Sequence, residues 1–305
     1  MKLQILLATR NGEKFIGTQL DSLIAQQHRR EDIIEILISD DGSTDSTMER
    51  IREYQSRYPS MIRILPQTRS GSAAANFIRL AASSDGDLVF FCDQDDYWMP
   101  DKVQRMAEAF TDEDMPQLVY SDAYIADQDL KIIPCRDDRL QTRVRGSLTL
   151  EKLLVQNYIM GCTIAVNRPL VNGVCRDEYP GMQMHDWWLA IYAASFGSIR
   201  HLPIKLMKYR QHGDNAVGAR DLGSMSYIFS HLDMRRLRES CGRLIDQAAG
   251  FYGCYGDAMT PAVERVFRDF IDLRKSNKLR RICTQIRGGY LKSTLPRVIG
   301  QLLCM

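Results

Sequence analysis

Three carboxylates, Asp93, Asp95 and Asp96, directly follow the apolar run Leu88–Cys92. Such a run reads as a strand buried on both faces, and a buried strand that ends in clustered like charges invites a cation. Asp93 and Asp95 can offer oxygens to one hard divalent ion such as Mg²⁺ or Mn²⁺, which in turn can grip a diphosphate. The plainer reading is a solvated strand end and a turn, because Trp98-Met99-Pro100-Asp101 looks like the start of a helix.

Other stretches offer related chemistry. Asp40-Asp41 closes a second apolar run and precedes Gly42-Ser43-Thr44-Asp45. Asp-Gly is turn chemistry and Ser or Asp caps helices, which explains one acidic residue better than two. In nucleotide-binding folds a carboxylate at a second strand's end accepts hydrogen bonds from a ribose or base edge. The loop Arg69–Asn76 opens a helix with small residues, suited either to backbone contact with a phosphate or ring or simply to close packing. In Met184-His185-Asp186-Trp187-Trp188, Asp186 is either a helix N-cap or a general base for a sugar hydroxyl. Trp187 and Trp188 would pack on the core or lay flat faces beside pyranose rings, and the third tryptophan, Trp98, follows the acidic triplet. In Tyr209-Arg210-Gln211-His212-Gly213-Asp214-Asn215, Arg210 suits a diphosphate and His212 a metal, although a lone loop histidine is usually just solvated.

The elements that must position these residues alternate. Strands are predicted over 3–7, 33–39, 62–65, 88–92 and 117–122, and helices over 13–26, 45–58, 73–82 and 100–110. Continuous apolar strands in this rhythm imply a parallel sheet covered by helices on both faces, with ligands at the carboxyl ends of the strands. One shared site then explains Thr9-Arg10-Asn11-Gly12, Asp40-Asp41 and Asp93–Asp96 together. Beyond residue 126 the pattern predicts a turn at 127–130, a charged loop at 136–145, a helix over 148–156 and a strand over 163–167. A helix from Asp186 to Phe196 and a strand over 206–211 follow, and the chain turns wholly helical after Ser224.

With 305 residues, 26% charged and 45% hydrophobic, the chain suits one large globular domain with an appendage, and a net charge of +2 is too small to imply nucleic acid. The charge is uneven: Arg274 to Met305 holds eight Lys or Arg and no Asp or Glu. Apolar residues at helical spacing within it suit the anionic cytoplasmic leaflet or, equally, solvated helices packed on the domain. Gly288-Gly289 and Pro296 break this stretch. Eight cysteines without a C-x-x-C pair point to a reducing cytosol. The start runs straight into a strand with no signal-peptide pattern, and no apolar run has spanning length.

A-T-R-N-G near the start, S-D-D-G-S-T-D-S-T at 39–47, C-D-Q-D-D-Y-W-M-P-D-K at 92–102, M-H-D-W-W at 184–188 and Y-R-Q-H-G-D-N at 209–215 together resemble family 2 glycosyltransferases. Bacterial rhamnosyltransferases of surface polysaccharide assembly are the members they look most like. The resemblance covers about residues 1–220 and implies an α/β GT-A fold: a nucleotide-binding half over 1–125 and an acceptor half over 126–220 on one mostly parallel sheet, with a basic helical extension over 221–305. It implies inverting, Mg²⁺- or Mn²⁺-dependent transfer from a nucleotide sugar. Thr9, Asn11, Glu13, Asn76 and Gln94 would then lie beside the donor, Asp40 and Asp41 would hold base and ribose, and Asp93 and Asp95 would position the metal and diphosphate. Arg210 would assist the diphosphate, His212 would complete the metal shell, Asp186 would be the base, and Trp98, Trp187 and Trp188 would meet the acceptor. Arg10 departs from the aromatic residue usual in the family, although a guanidinium can also stack on a base.

The resemblance favours dTDP-L-rhamnose as donor, with a UDP-hexose as the alternative, and a polyprenyl-diphosphate-linked oligosaccharide as acceptor. The setting would be cytoplasmic, at the inner face of the membrane. A nucleotidylyltransferase would need a G-x-G-T-R-type loop and a dehydrogenase G-x-G-x-x-G, and neither follows the first strand. A non-catalytic saccharide-binding subunit would not need Asp186.

Overall fold

The computed structural model describes residues 1–134, 148–212 and 234–305. The charged loop expected at 136–145, the boundary expected at 220–221 and the Gly213-Asp214-Asn215 part of the last motif lie outside them. The strands are β1 (Lys2–Thr9), β2 (Ile33–Asp40), β3 (Ile62–Ile64), β4 (Leu88–Cys92), β5 (Tyr97–Trp98), β6 (Gln117–Ala126), β7 (Ile164–Asn167) and β8 (Ser198–Arg210). They form one eight-stranded sheet in the order β3-β2-β1-β4-β7-β6-β8-β5. From β3 to β4 all pairings are parallel, as are β6 and β8, while β7 runs antiparallel to both β4 and β6 and β5 runs antiparallel to β8.

The helices are α1 (Ile16–Ile24), α2 (Thr47–Arg57), α3 (Ala73–Ala82), α4 (Lys102–Ala107), α5 (Leu150–Val155), α6 (Arg168–Val174), α7 (His185–Phe196), α8 (Met234–Tyr255), α9 (Pro261–Ile271), α10 (Lys278–Arg287) and α11 (Leu295–Cys304). The central strands alternate between two cores, as a period of two requires. Leu3, Ile5, Leu7, Phe90 and Cys92 meet α1, α2 and α4 on one face. Leu6, Val89 and Phe91 meet α3, α5, α6 and α7 on the other, and the C-terminal helices join that same core through Leu244, Phe251, Phe267 and Tyr290. Helices on both faces leave the strands no solvated side, which is why β4 reads as an unbroken apolar run and β1 and β2 are interrupted only by Gln4 and Glu35 before their last residues.

β5 and α6 are not expected from the sequence, and two further differences bear on the site. β8 begins at Ser198, eight residues before the expected Leu206, and β6 continues to Ala126 to pair with it. The first half of β8 is mostly exposed, so its residues carry little apolar signal. The N-cap of α7 is Met184, so Asp186 lies inside the first turn rather than capping it. That position frees the carboxylate from a capping role.

Candidate active site

Parallel β2, β1 and β4 end side by side, which brings Asp40-Asp41, Thr9–Gly12 and Asp93–Asp96 to one edge of the sheet. Most of the residues expected at the nucleotide hold the loops of this edge together. Asp40 accepts from Thr9 Oγ1 at 3.1 Å, from the backbone of Gly42 and Ser43 at 3.1 and 2.8 Å, and from Gln67 Nε2 at 2.8 Å. Asn11 accepts from Thr44 N and Glu13 from Ser46 N, both at 2.9 Å, so the β1 loop clasps the start of α2. Asn11 does this at a positive φ of 48°, a conformation that Asn tolerates better than most residues. Asn76 is spent on Ser39, accepting from its hydroxyl and donating to its carbonyl.

Gln94 is a bridge. Its amide accepts from Arg10 N at 2.8 Å and donates to Arg10 O at 2.9 Å, tying the β1 loop to the acidic turn. A Cβ on Gly12 would run into that amide, so glycine there leaves room for the bridge. Asp41, which is 4% exposed, accepts from the backbone of Ser70 and Gly71, and its other oxygen lies 4.0 Å from the guanidinium of Arg10. Arg10 is half exposed and stands between Asp41 and the acidic turn, where a planar cation can face a base.

The acidic turn is tied from the opposite side by the end of β8. Arg210 donates from Nε to the Asp95 carbonyl at 2.6 Å and from its backbone N to Asp96 Oδ1 at 3.0 Å. His212 Nε2 lies 2.7 Å from Asp95 Oδ2. Phe15 packs its ring 4.7 Å from that of His212 and 4.5 Å from the Arg210 guanidinium. Arg210 therefore supports the turn, and its Nε is not directed at a diphosphate.

Asp93, Asp96 and Cys162 offer ligand atoms that lie within 4.8 Å of one another. Asp96 is fully buried with Oδ2 unpartnered, and Cys162 is a buried thiol, a soft donor less suited to a hard dication than carboxylate oxygens. Burial, then the charges of Asp95 and Asp186, push Asp93 up to about 7, and burial with its two acidic neighbours pushes Asp96 well above the usual carboxylate range. So much like charge in one place is what a bound dication would relieve. The metal shell expected from the sequence, Asp93 and Asp95 with His212, is split: Asp93 clusters with Asp96 and Cys162, while Asp95 pairs with His212, and of these groups the carboxylate oxygens are the donors that suit Mg²⁺ or Mn²⁺.

Gly161 N donates to Asp186 and the next residue, Cys162, sits with Asp93 and Asp96, so α7 brings its carboxylate to the same site. Burial lifts Asp186 to about 6, against the hydrogen bonds of Trp187 N (2.6 Å), the Asn157 side chain and Gly161 N that hold it in place. His185 beside it is 2% exposed, stacks 4.1 Å from the Phe77 ring, and has neither ring nitrogen hydrogen-bonded. Trp98 and Trp188 are fully buried, Trp98 under Lys102 and Trp188 against Tyr179 and Phe251, so the acceptor faces expected of them are core packing instead. Trp187 is 8% exposed and donates from Nε1 to the Leu153 carbonyl. Adjacent tryptophans in a sequence look alike whether they line a groove or fill a core.

Sequence reasoning missed Lys102. Its Nζ is buried 2.6 Å from the Cys162 carbonyl and 3.7 Å from the centroid of the Trp98 ring, beneath Asp93 and Asp96. A lysine predicted inside an amphipathic helix ordinarily faces water, and only its place just after the acidic turn hinted otherwise.

A family model described as "Glycosyl transferase family 2" matches residues 4–169. Among curated proteins, the Shigella flexneri protein named dTDP-rhamnosyl transferase RfbG is 32% identical over 228 residues, which span 70% of this chain and 74% of that protein. Among solved structures, Staphylococcus aureus TarS in complex with UDP-GlcNAc superposes with a TM-score of 0.56 at 16% identity, covering 100% of this chain and 90% of that one. Mannosyltransferase PcManGT from Pyrobaculum calidifontis, in complex with GDP-Man and Mn²⁺, gives a TM-score of 0.57 at 17% identity over 97% of this chain and 77% of its own. These likenesses bear out the GT-A fold expected from the sequence.

Proposed function

Since the chain belongs to glycosyl transferase family 2, we propose that it transfers a hexose, with inversion, from a nucleotide sugar to a surface polysaccharide under construction. The observation that carries this reading is that Gly161 N holds Asp186 while the adjoining Cys162 sits with Asp93 and Asp96, a base candidate beside a diphosphate-and-metal candidate. Inversion needs these two functions on opposite faces of one anomeric carbon and no covalent nucleophile.

Asp186, held by Gly161 N, Trp187 N and Asn157, takes the proton from the acceptor hydroxyl as it attacks. A general base near pH 6 is well matched to a cytoplasmic reaction, because it is ionised yet still basic. Asp93, Asp95 and His212 would hold Mg²⁺ or Mn²⁺, which when bound neutralises charge on the departing nucleoside diphosphate. Arg10 and Asp41 flank the base end of the donor, and the Gln94 bridge keeps that end in register with the acidic turn.

dTDP-L-rhamnose is the favoured donor, supported by the name of the Shigella relative, and UDP-hexoses are the alternative, supported by the likeness to TarS. The acceptor is a polyprenyl-diphosphate-linked oligosaccharide at the cytoplasmic face of the membrane. The deciding experiment is a thermal-shift and turnover panel of dTDP-rhamnose, UDP-glucose, UDP-GlcNAc and GDP-mannose with Mn²⁺. Stabilisation and slow hydrolysis of dTDP-rhamnose alone is expected. A response only to a UDP-sugar would move the assignment to the alternative, and no response to any donor would sink the enzymatic reading.

A further inference from the structure

The last two helices carry a surface of quite different chemistry. α10 and α11 are joined on their inner side by Gln301, whose amide donates to Gln285 Oε1 at 3.0 Å, both side chains being buried. Their outer sides are apolar. On α10, Leu279 is 78% and Ile286 54% exposed, with exposed Cys283 between them. On α11, Leu295 is 72% exposed and Ile299 and Leu303 are each 51% exposed. Spacings of three and four place each set on one face of its helix. Apolar side chains left in water forgo the stabilisation of burial, so grouped exposure of this kind marks a contact surface.

Where the two helices meet, a cavity of about 390 Å³ is lined by Arg238, Lys278 and Arg281 and walled by Leu302, Leu303 and Met305. Arg281 is fixed in place by donating to the carbonyls of Ser276 (2.7 Å), Met305 (2.9 Å) and Arg274 (3.1 Å). Among the described residues no Asp or Glu side chain is paired with these three cations. Leu303 belongs both to the apolar stripe and to the cavity wall.

We propose that α10 and α11 form a docking face for an anionic lipid bilayer, the leucine and isoleucine stripes entering the acyl boundary and the cavity receiving a lipid phosphate. Charge selects this occupant. The stretch from Arg274 to Met305 has eight Lys or Arg and no Asp or Glu, so a second copy of the chain docked on the same face would set like charge against like. An anionic leaflet offers the opposite sign, and each Lys or Arg near it adds to the attraction. No described helix is long and apolar enough to cross a membrane, so this is surface attachment. The inference rests on the proposed function only in giving the lipid-linked acceptor a nearby surface.

The experiment is sedimentation of the full chain with vesicles of phosphatidylglycerol and phosphatidylethanolamine, or of phosphatidylcholine alone. Partition onto the anionic vesicles is expected to be at least about tenfold greater and to weaken with salt. The double variant Leu279→Ser/Leu295→Ser is expected to lose about tenfold of that partition, with unchanged melting because both side chains are exposed. Arg238→Ala/Lys278→Ala should lose binding chiefly at low salt. Equal partition onto both vesicle types, or a serine variant that binds like the parent, overturns the proposal. So does a concentration-dependent dimer that the serine variant breaks. Hydrolysis of the nucleotide sugar is read in parallel: its absence with vesicle binding intact sinks the transferase reading alone, and lost binding with hydrolysis intact sinks only this one.

Discussion

His212 Nε2 lies 2.7 Å from Asp95 Oδ2 across 117 positions of sequence, which makes the end of β8 a working part of the acidic turn. If His212 shares the cation with Asp95, or orients that carboxylate, His212→Ala should need about 10- to 100-fold more Mn²⁺ for half-maximal turnover. Metal titration of donor hydrolysis measures this, and EDTA should silence the parent protein. An unchanged Mn²⁺ requirement would make the contact merely structural.

The base has a pH signature. With Asp186 lifted to about 6, its carboxyl is protonated below that value and cannot accept a proton, so transfer should fall as pH drops through about 6 and level off above. Asp186→Asn should lower kcat about 10²- to 10⁴-fold and leave donor binding, read by thermal shift, nearly intact. Retained transfer in that variant would remove the assignment.

Lys102 is the buried counter-charge under Asp93 and Asp96. Removing one partner from a buried ionic group typically costs about 3–5 kcal/mol, so Lys102→Met should lower the melting temperature markedly. Because the deficit is one of positive charge, added Mn²⁺ should recover more of the melting temperature in the variant than it adds in the parent. Equal Mn²⁺ shifts in both proteins would contradict this.

His185 reports on acid stability. Burial holds it down to about 3, against an ordinary value of 6.5, so the fold favours the neutral ring. That stability is complete above about pH 6.5 and drains away as pH falls toward 3, because the unfolded chain takes up the proton first. His185→Phe keeps the stacking on Phe77 and Phe91 and carries no titrating ring, so its melting temperature should decline less between pH 6.5 and 4. Parallel declines for variant and parent would refute the linkage.

The first 125 residues were legible because their signals are local. α3 and β4 have the boundaries that apolar period and turn residues dictate, and Asp93–Asp96 stand where a parallel strand must present them. What stayed hidden depends on contacts far apart in sequence. Lys102 reads as a surface lysine until Trp98, Cys162 and Met207 enclose it, and Asn157 has no motif around it to announce that it holds Asp186. Trp98 and Trp188 misled for the opposite reason, since an aromatic near a site says nothing of which way it faces.

β5 has one consequence for biosynthesis. Tyr97 and Trp98 pair with Lys208 and Met207, Met99 N donates to Leu206 O at 3.0 Å, and Arg210 reaches Asp95 and Asp96. Residues 95–99 thus leave the ribosome long before these β8 partners exist, although Ser22 and Gln26 are already there to meet Trp98 N and Met99 O. The nascent chain carries this acidic turn without its β8 partners until β8 has been translated, and a chain cut short before β8 lacks the strand that ties it down.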